Sequence, residues 1–406
     1  MNLAPVEILG FCVLAAGVGV IGLLLIQQMR FASRMRYLHR QELALFEDRL
    51  NGMREYRTRM QALPAAWNGV RKFRLESRKP AGGDICSFHL VPHDGKTPLP
   101  VFKPGQFLTF HLEANARKHV RCYSLSDCHH PGYYRISVKK MTPKDGHFSI
   151  STWFHEQLQE GDILDVAAPS GDFVLDPRDG GAVALSGAGV GVTPVLSMMN
   201  ALVAAHSRRE IWFFYGVLNG SHHILRDKVS EWRDLGWPNL HIVVVFSDPL
   251  ATDAVGRDYD ERGRVDPALL KRLLPSSNFD FYTCGPGPMM QGLRDGLKEW
   301  GVPATRVHDE AFVQVKQAVS INATKIRFRK SSLDLELSGA ATNLLDFAHK
   351  ENIEIPSGCK IGHCGACQTA LVEGNVRYLQ PAKFNIEKGC CLPCICLPEG
   401  DIVLDA

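Results

Sequence analysis

Basic tracts, internal repeats and low-complexity segments are all missing from this 406-residue sequence, and its formal net charge is only +3. No stretch interleaves aromatic and basic side chains in the way that nucleic-acid-binding surfaces do. We therefore expect no nucleic-acid partner. The length exceeds what one hydrophobic core usually organises, so we expect two to four domains.

Evenly spread cysteines, which would indicate a disulfide framework in a small secreted chain, are also missing. The sequence has 12 cysteines. Seven of them lie together near the C-terminus: Cys359, Cys364, Cys367, Cys390, Cys391, Cys394 and Cys396. This clustering predicts a metal or iron-sulfur site in a protein that works in a reducing compartment.

Charged side chains are missing from residues 8–26, which are mostly apolar. A helix over these residues would be about 28 Å long, roughly the thickness of a bilayer core. No Lys or Arg precedes this run, whereas several arginines follow it, beginning with Arg30 and Arg34. We interpret residues 6–26 as an uncleaved transmembrane anchor with the N-terminus outside and the rest of the chain in the cytoplasm. A cleaved signal peptide and a buried helix are the alternatives.

Five further segments follow the predicted anchor. Residues 27–66 have a basic, helical pattern that indicates a stalk, either bound to a lipid surface or dimerising, or else a solvated spacer. Residues 67–176 alternate apolar and polar side chains in short strands, which predicts an antiparallel β-barrel. Strands and helices alternate over residues 177–312 and predict a doubly wound α/β domain. Residues 313–323 are interpreted as a linker, and residues 324–406 as a compact α+β domain.

A candidate flavin site lies on one predicted strand of the barrel. Arg121 offers a fixed fork of donors for a pyrophosphate, and Tyr123 an aromatic face for an isoalloxazine ring. Ser124 adds a short hydroxyl that could reach a ring nitrogen. Taken alone, the tetrapeptide of residues 121–124 is a weak signal, and a plain surface strand is the alternative.

A candidate dinucleotide site lies in the α/β segment. Gly187, Gly189 and Gly191 follow a predicted strand and precede a predicted helix, so their backbone could approach a pyrophosphate at the helix N-terminus. Cys284, Gly285 and Pro286 follow another strand, at the edge of the sheet where ligands of such sheets bind. A plain turn and a buried structural cysteine are the alternatives.

The spacing of Cys359, Cys364 and Cys367 is C-x4-C-x2-C, which is typical of a plant-type 2Fe-2S site. Thiolates bind iron, and Gly362 and Gly365 allow a tight loop to direct several sulfurs to one cluster. Zinc is the alternative, although zinc sites seldom use this spacing.

In their order and spacing, the motifs of the two central domains resemble the ferredoxin-NADP reductase family over about 250 residues. The sequence from Tyr123 to Asp127, together with that from Tyr133 to Lys139, is especially similar to the reductase module of flavohaemoglobins. The C-terminal segment resembles a plant-type 2Fe-2S ferredoxin domain, which implies a β-grasp-like fold. This domain order resembles reductase components that serve oxygenases.

The resemblance implies roles for particular residues of the barrel. Tyr123 and Ser124 would hold the flavin ring, and Arg121 the pyrophosphate together with Ser151 or Thr152. Val138 and Lys139 would hold the ribityl-phosphate region of the flavin. Gly146 is the glycine that precedes the second phosphate motif. Ser149 is an alternative to Ser151, because the spacing after the glycine is longer than usual. The second phosphate motif favours FAD over FMN.

In the α/β domain, the resemblance implies that Thr193 orients the nicotinamide and that Cys284 lies at the hydride-transfer position. Glu310 and Phe312 would form the acidic and aromatic pair beside the flavin. Residues 217–220 include no Lys or Arg for an adenosine 2′-phosphate, which favours NADH. Arg226 and Lys228 lie near enough to leave NADPH as the alternative.

The fourth cysteine ligand is chosen by the same resemblance. Ferredoxin tails resemble the register of Leu392, Cys394, Pro398 and Asp401, so Cys394 is our prediction and Cys396 the alternative.

These resemblances imply electron transfer from NADH through FAD to the 2Fe-2S cluster, since NADH delivers two electrons and the cluster accepts one. An external protein, either soluble or membrane-bound, would be the acceptor: an oxygenase, a hydroxylase or a desaturase. We weigh two alternatives, a respiratory-type NADH:quinone reductase and a non-enzymatic redox sensor or zinc adaptor.

Overall fold

A computed structural model describes residues 27–29, 34–36, 39, 43, 67–115, 117–141, 148–310, 319–382 and 384–406. The chain divides into two units, Met1–Thr58 and Arg59–Ala406. In the first unit, the few described residues are helical and exposed. None of the helices described is long and apolar enough to cross a membrane. The predicted anchor and most of the predicted stalk lie outside the described residues.

The second unit begins with a barrel of six antiparallel strands in the order β4-β3-β6-β1-β2-β5. An antiparallel bridge between Leu125 and Ile136 joins the end of β4 to β5. Phe154 of the helix α1 is fully buried among barrel side chains and contacts Phe88 and Phe110 edge to face. The strands are β1 (Val70–Gly82), β2 (Ile85–Pro92), β3 (Phe107–Ala114), β4 (Arg117–Ser124), β5 (Tyr134–Lys139) and β6 (Ile163–Ser170), with α1 at Ile150–Glu156.

A parallel sheet follows, in the order β10-β9-β8-β7-β11-β12. One buried core packs α2 and α3 on the sheet and a second packs α4 and α5, so the sheet is doubly wound as predicted. The strands are β7 (Val183–Ala188), β8 (Ile211–Val217), β9 (Leu240–Phe246), β10 (Glu261–Arg262), β11 (Asp280–Cys284) and β12 (Val307–Glu310). The helices are α2 (Val192–Ala204), α3 (Arg226–Asp234), α4 (Pro267–Leu273) and α5 (Gly287–Glu299). Strand order reverses between β7 and β11, the point where such sheets bind ligands.

The C-terminal domain has a mixed sheet in the order β14-β13-β19-β15-β17, a separate β16-β18 pair and the helix α6. Its elements are β13 (Val319–Phe328), β14 (Leu333–Ala341), α6 (Leu344–Lys350), β15 (Thr369–Glu373), β16 (Val376–Tyr378), β17 (Cys390–Cys391), β18 (Cys396–Pro398) and β19 (Ile402–Leu404).

One sequence boundary differs from the structure. Residues 319–323, which the sequence assigned to a linker, belong to β13. The strand extends this far because its partner β14 continues to Ala341, which pairs with Val319. Residues 313–318, the remainder of the predicted linker, lie outside the described part of the chain, and so does Phe312.

The barrel is fixed to the α/β domain by the turn that follows β4. Ser197 Oγ of α2 donates to the Asp127 carbonyl at 2.6 Å, and Asn200 Nδ2 donates to the Asp127 carboxylate at 2.9 Å. Gly105, at a φ of +101°, lies so close to Phe173 and Met198 that a Cβ there would be 2.0 Å from the Phe173 carbonyl oxygen. Hydrogen bonds and tight packing therefore hold the two domains in one arrangement.

Candidate active site

A cavity of about 910 Å³, including the part open to solvent, lies where the barrel, the α/β domain and the cysteine loop meet. Its walls come from β3, β4 and β5 of the barrel, the start of α2, the end of β12 and the loop around Cys359. The lining residues are Phe107, Cys122, Tyr123, Ser124, Ser137, Val138, Lys139, Met141, Ser151, Val190, Thr193, Glu310, Gly358, Cys359 and Ile361. Eight of the residues predicted from the sequence, in all three domains, meet in this one space.

Tyr123 and Ser124 form the wall at the end of β4. The Tyr123 ring packs edge to face on Phe110 and Phe154, with centroids 5.7 and 5.1 Å apart. Burial raises the pKa of Tyr123 well above its ordinary value, so its hydroxyl stays protonated at neutral pH. The pair offers an apolar ring face and a buried hydroxyl to a planar ligand.

The hydroxyls predicted for the second phosphate cluster near the start of α1. Ser149 Oγ and Ser151 Oγ are 2.9 Å apart, Ser151 Oγ accepts from the Met141 amide at 3.0 Å, and Thr152 Oγ1 donates to the Met141 carbonyl at 3.2 Å. Ser151 lines the cavity, and Ser149 and Thr152 do not. This geometry favours Ser151 as the phosphate ligand, which stays a prediction. Gly146 lies outside the described residues.

Arg121 is placed differently from its predicted role. Its guanidinium donates to the Val120 carbonyl at 2.8 Å and to the Ser357 carbonyl of the cysteine domain at 3.5 Å. The side chain is not part of the cavity lining. In this structure Arg121 joins two domains, and its role at the pyrophosphate stays a prediction.

The three glycines after β7 do different things. A Cβ on Gly187 would be 2.7 Å from Val195, and one on Gly191 would be 2.6 Å from the Gly285 backbone. These two glycines therefore let the α2 helix and the β11 turn approach closely. Gly189, at a φ of +55°, lines a second cavity and is the one positioned toward a ligand.

This second cavity, of about 1130 Å³ including open solvent, lies at the carboxyl edge of the parallel sheet. Pro286 lines it, as the sequence predicts, whereas Gly285 does not. Ser247 and Arg264 also line it, and sequence reasoning missed both. Each follows the end of a strand on this edge, which is the signal that could have identified them.

The basic residues weighed for NADPH do not line this cavity. Arg226 pairs with Asp258 at 2.5 Å, and Lys228 pairs with Glu231. Arg264 is thus the basic side chain that the structure places at the dinucleotide cavity.

Cys284 and Glu310 are neighbours across β11 and β12. Cys284 is fully buried, and burial raises the pKa of its thiol well above the ordinary value. It lies behind the cavity wall, not in it. Glu310 does line the cavity, and its Oε2 has no hydrogen-bond partner among the described residues. Burial, with a smaller contribution from Cys359, raises the pKa of Glu310 to about 8, so this carboxyl holds a proton at neutral pH.

Thr193 lines the first cavity and is not part of the lining of the second. Its Oγ1 donates to the Val190 carbonyl at 3.0 Å, and the residue lines the first cavity at the start of α2. Thr193 can thus position a group that enters the first cavity from the dinucleotide side.

The cysteine loop folds around its own sulfurs. Cys359 Sγ accepts from the amides of Ile361, His363 and Cys364 at 3.3 to 3.5 Å, and Cys364 Sγ accepts from the Cys359 amide at 3.2 Å. Gly365, at a φ of +69°, could not carry a Cβ, which would lie 2.3 Å from the Phe384 ring. Amides directed at sulfur are what a bound iron-sulfur cluster requires.

The sulfurs of the cysteine domain meet in pairs. Cys359 is in hydrogen-bond contact with Cys364, and Cys367 with Cys394, while Cys396 contacts Cys391. No three His, Cys, Asp or Glu side chains among the described residues converge as they would on a single metal ion. If a 2Fe-2S cluster binds here, these first two pairs would be its four thiolate ligands, which stays a prediction. Hydrogen bonds from Cys122 and Cys364 lower the pKa of Cys359, which favours the thiolate that binds iron.

Three family models match the chain in sequence order. Residues 72–175 match the oxidoreductase FAD-binding domain, residues 185–295 the oxidoreductase NAD-binding domain, and residues 330–399 the 2Fe-2S iron-sulfur cluster binding domain.

Curated relatives and solved structures resemble the same regions. The flavohemoprotein of Chromobacterium violaceum is 39% identical over 252 residues, which are 61% of this chain and 61% of that protein. The flavohemoprotein of Halalkalibacterium halodurans is 35% identical over 254 residues, with the same shares. The chain thus spans about three fifths of the length of these relatives. The structure of phthalate dioxygenase reductase is 26% identical with a TM-score of 0.54, over 84% of this chain and 98% of that one.

The fold, the cavities and these matches define FAD-binding and NAD-binding domains of the ferredoxin reductase type. More particularly, the chain carries the FAD-binding, NAD-binding and 2Fe-2S domains of a ferredoxin reductase fused to a plant-type ferredoxin, as the sequence predicted, with FAD, a nicotinamide dinucleotide and a 2Fe-2S cluster as the cofactors of these domains. The alternative of a non-enzymatic zinc adaptor has no support.

The pairing of sulfurs generates a test of the fourth ligand. Cys394→Ser should lose most of its iron and acid-labile sulfide, because the substitution removes the thiolate that is paired with Cys367. Loss of a residue that only hydrogen-bonds to a metal ligand already lowers metal affinity about 10–100-fold, and loss of a ligand itself should cost more. Cys396→Ser, at an equally buried thiol two residues away, should keep two irons per chain and the visible spectrum. Iron loss in Cys396→Ser with retention in Cys394→Ser would reverse the assignment.

Proposed function

We propose that this chain passes electrons from NADH through FAD and its 2Fe-2S cluster to a separate protein acceptor, an oxygenase, hydroxylase or desaturase. The observation that carries the proposal is the shared wall: Cys359, a predicted cluster ligand, lines the same cavity as Tyr123 and Ser124. A flavin in this cavity would lie against the cluster loop.

The chain's own residues prepare this cavity for the transfer. When bound, FAD accepts two electrons as a hydride from NADH and releases them singly to the cluster. Tyr123 and Ser124 orient the ring, and Thr193 positions the group that enters from the dinucleotide cavity. Glu310 holds a proton at its buried carboxyl that can be given to, or taken from, the cavity.

A similar solved structure supports the electron route. Phthalate dioxygenase reductase is described as a modular structure for electron transfer from pyridine nucleotides to [2Fe-2S]. Because nearly all of that chain is covered, the same route is proposed here. For the nucleotide, Val217 and Leu218 line the second cavity where a basic residue would meet a 2′-phosphate, which favours NADH. Arg264 on the same cavity leaves NADPH as the alternative.

We further propose that residues 6–26 anchor the protein in a membrane as a single-pass helix, with the redox domains in the cytoplasm. The support is the uncharged run of residues 8–26 and the arginines that follow it. A membrane-bound acceptor would then share one surface with the reductase, which raises their effective concentration.

The anchor is tested by fractionation of cells that express the full chain. It should remain with membranes through high-salt and carbonate washes and be released by detergent, because apolar insertion is insensitive to salt. A variant that begins at residue 27 should appear in the soluble fraction with its flavin spectrum intact. Release of the full chain by salt alone would contradict the anchor.

The electron route is tested by Cys364→Ser. This variant should lose reduction of a one-electron protein acceptor such as cytochrome c by more than about a hundredfold, since removal of a ligand exceeds loss of an outer partner. NADH oxidation by ferricyanide, which flavin alone supports, should be retained. Cys390→Ser, at a partly exposed thiol outside the four-thiolate set, is the matched control and should keep both activities. Survival of both activities in Cys364→Ser would show that electrons do not leave through the cluster.

A further inference from the structure

Strand β4 of the FAD-binding barrel runs directly along the cysteine loop of the 2Fe-2S domain. Arg117 forms an ion pair with Glu354 at 3.0 Å, and Arg121 Nη1 donates to the Ser357 carbonyl at 3.5 Å. A Cβ on Gly358 would lie 3.0 Å from Val120 and 2.9 Å from Cys364 Sγ. The absence of a side chain at Gly358 thus allows the strand and the loop to touch.

At the centre of this contact lies Cys122, a thiol that the flavin and cluster motifs do not use. Side-chain hydrogen bonding with Cys359 and Cys364, together with burial, raises the pKa of the Cys122 thiol well above its ordinary value, so the thiol keeps its proton. On the barrel side, Thr109 Oγ1 is 3.4 Å from Cys122 Sγ. Cys122 also lines the flavin cavity beside Cys359. The residue therefore stands between the two redox sites and contacts ligands of one of them.

The hydrogen bonds from backbone to Cys359 Sγ all come from the loop itself, namely from the amides of Ile361, His363 and Cys364. Cys122 differs because it is a side-chain donor supplied by another domain. If the Thr109 hydroxyl donates to Cys122 Sγ, the thiol proton of Cys122 is left free to point at Cys359 Sγ.

Donors to a ligand sulfur stabilise the more negative, reduced cluster and so raise its reduction potential. We propose that the Cys122 thiol donates a hydrogen bond to the ligand sulfur of Cys359, so that the FAD domain itself raises the reduction potential of the cluster. Cys122 is a positioning residue that acts through Cys359. The inference rests on the 2Fe-2S cluster of the proposed function. It adds that the cluster potential depends on contact with the barrel.

The test is an EPR-monitored redox titration of the full-length holoprotein in five forms, the unsubstituted protein and four variants. Cys122→Ala and Cys122→Val both remove the donor, and Val restores most of the packing volume. Cys122→Ser keeps a donor. Cys86→Ala removes a buried thiol elsewhere in the same barrel and is the matched control.

We expect Ala and Val at position 122 to shift the one-electron equilibrium of the cluster about fivefold toward the oxidised form. At 59 mV per tenfold, this shift lowers the reduction potential of the cluster by about 40 mV. Cys122→Ser should remain near the unsubstituted protein, and Cys86→Ala should match it. Besides the amide protons of the loop, pulsed EPR in D₂O should show one further exchangeable proton near the cluster in the Cys and Ser forms, and this proton should be missing from the Ala and Val forms.

Three results would overturn the inference. Unchanged reduction potentials in both Cys122→Ala and Cys122→Val would show that no hydrogen-bond donor was lost. An unchanged potential in Cys122→Val but not in Cys122→Ala would show that Cys122 acts by packing. Loss of iron in all three variants, with FAD still bound, would make Cys122 a ligand and not a donor. Absence of iron and sulfide from the unsubstituted protein would instead contradict the proposed function, so the two failures are distinguishable.

Discussion

Contact between the flavin cavity and the cysteine loop is the constraint on which the rest of the structure depends. Electrons pass between two sites only when the sites are close, and here Cys359 is part of the wall of the space that Tyr123 and Ser124 prepare. The ion pair of Arg117 with Glu354 and the missing side chain at Gly358 serve this closeness. The three domains, which follow one another along the sequence, therefore line one continuous cavity.

Small residues make the same kind of contact possible on the nucleotide side. Gly187 and Gly191 allow α2 and the β11 turn to meet, which brings Thr193 to the flavin cavity and leaves Gly189 to the dinucleotide cavity. Gly105 does this between the barrel and the α/β domain. Gly105, Gly187 and Gly191 thus mark places where two segments of the chain approach more closely than a side chain would allow.

Much of this architecture could be predicted because it depends on local patterns. The period-two alternation of β5 and the strand, glycine turn and helix around Gly189 are properties of a few consecutive residues, and so is the spacing from Cys359 to Cys367. The features that could not be predicted are those that depend on contacts between residues far apart in the sequence.

The choice of a fourth ligand among clustered thiols illustrates this limit. Spacing alone left Cys394 and Cys396 open, and only the fold shows Cys394 against Cys367 and Cys396 against Cys391. Arg121 was assigned to a phosphate from its type, yet its direction toward Ser357 depends on a domain more than two hundred residues away. Arg264 was missed because the strand that precedes it, β10, is only two residues long and has no apolar run to mark it in the sequence. The extension of β13 to Val319 depends on the length of its partner strand.

The central claim is that one polypeptide carries charge from nicotinamide through flavin to sulfur-bound iron. The most direct measurement mixes the purified full chain with NADH in the absence of oxygen and follows flavin absorbance and the EPR signal of the cluster together. The account predicts that flavin bleaches first and that a reduced 2Fe-2S signal then grows to one spin per cluster. A cluster that stays oxidised while the flavin is fully reduced would contradict it.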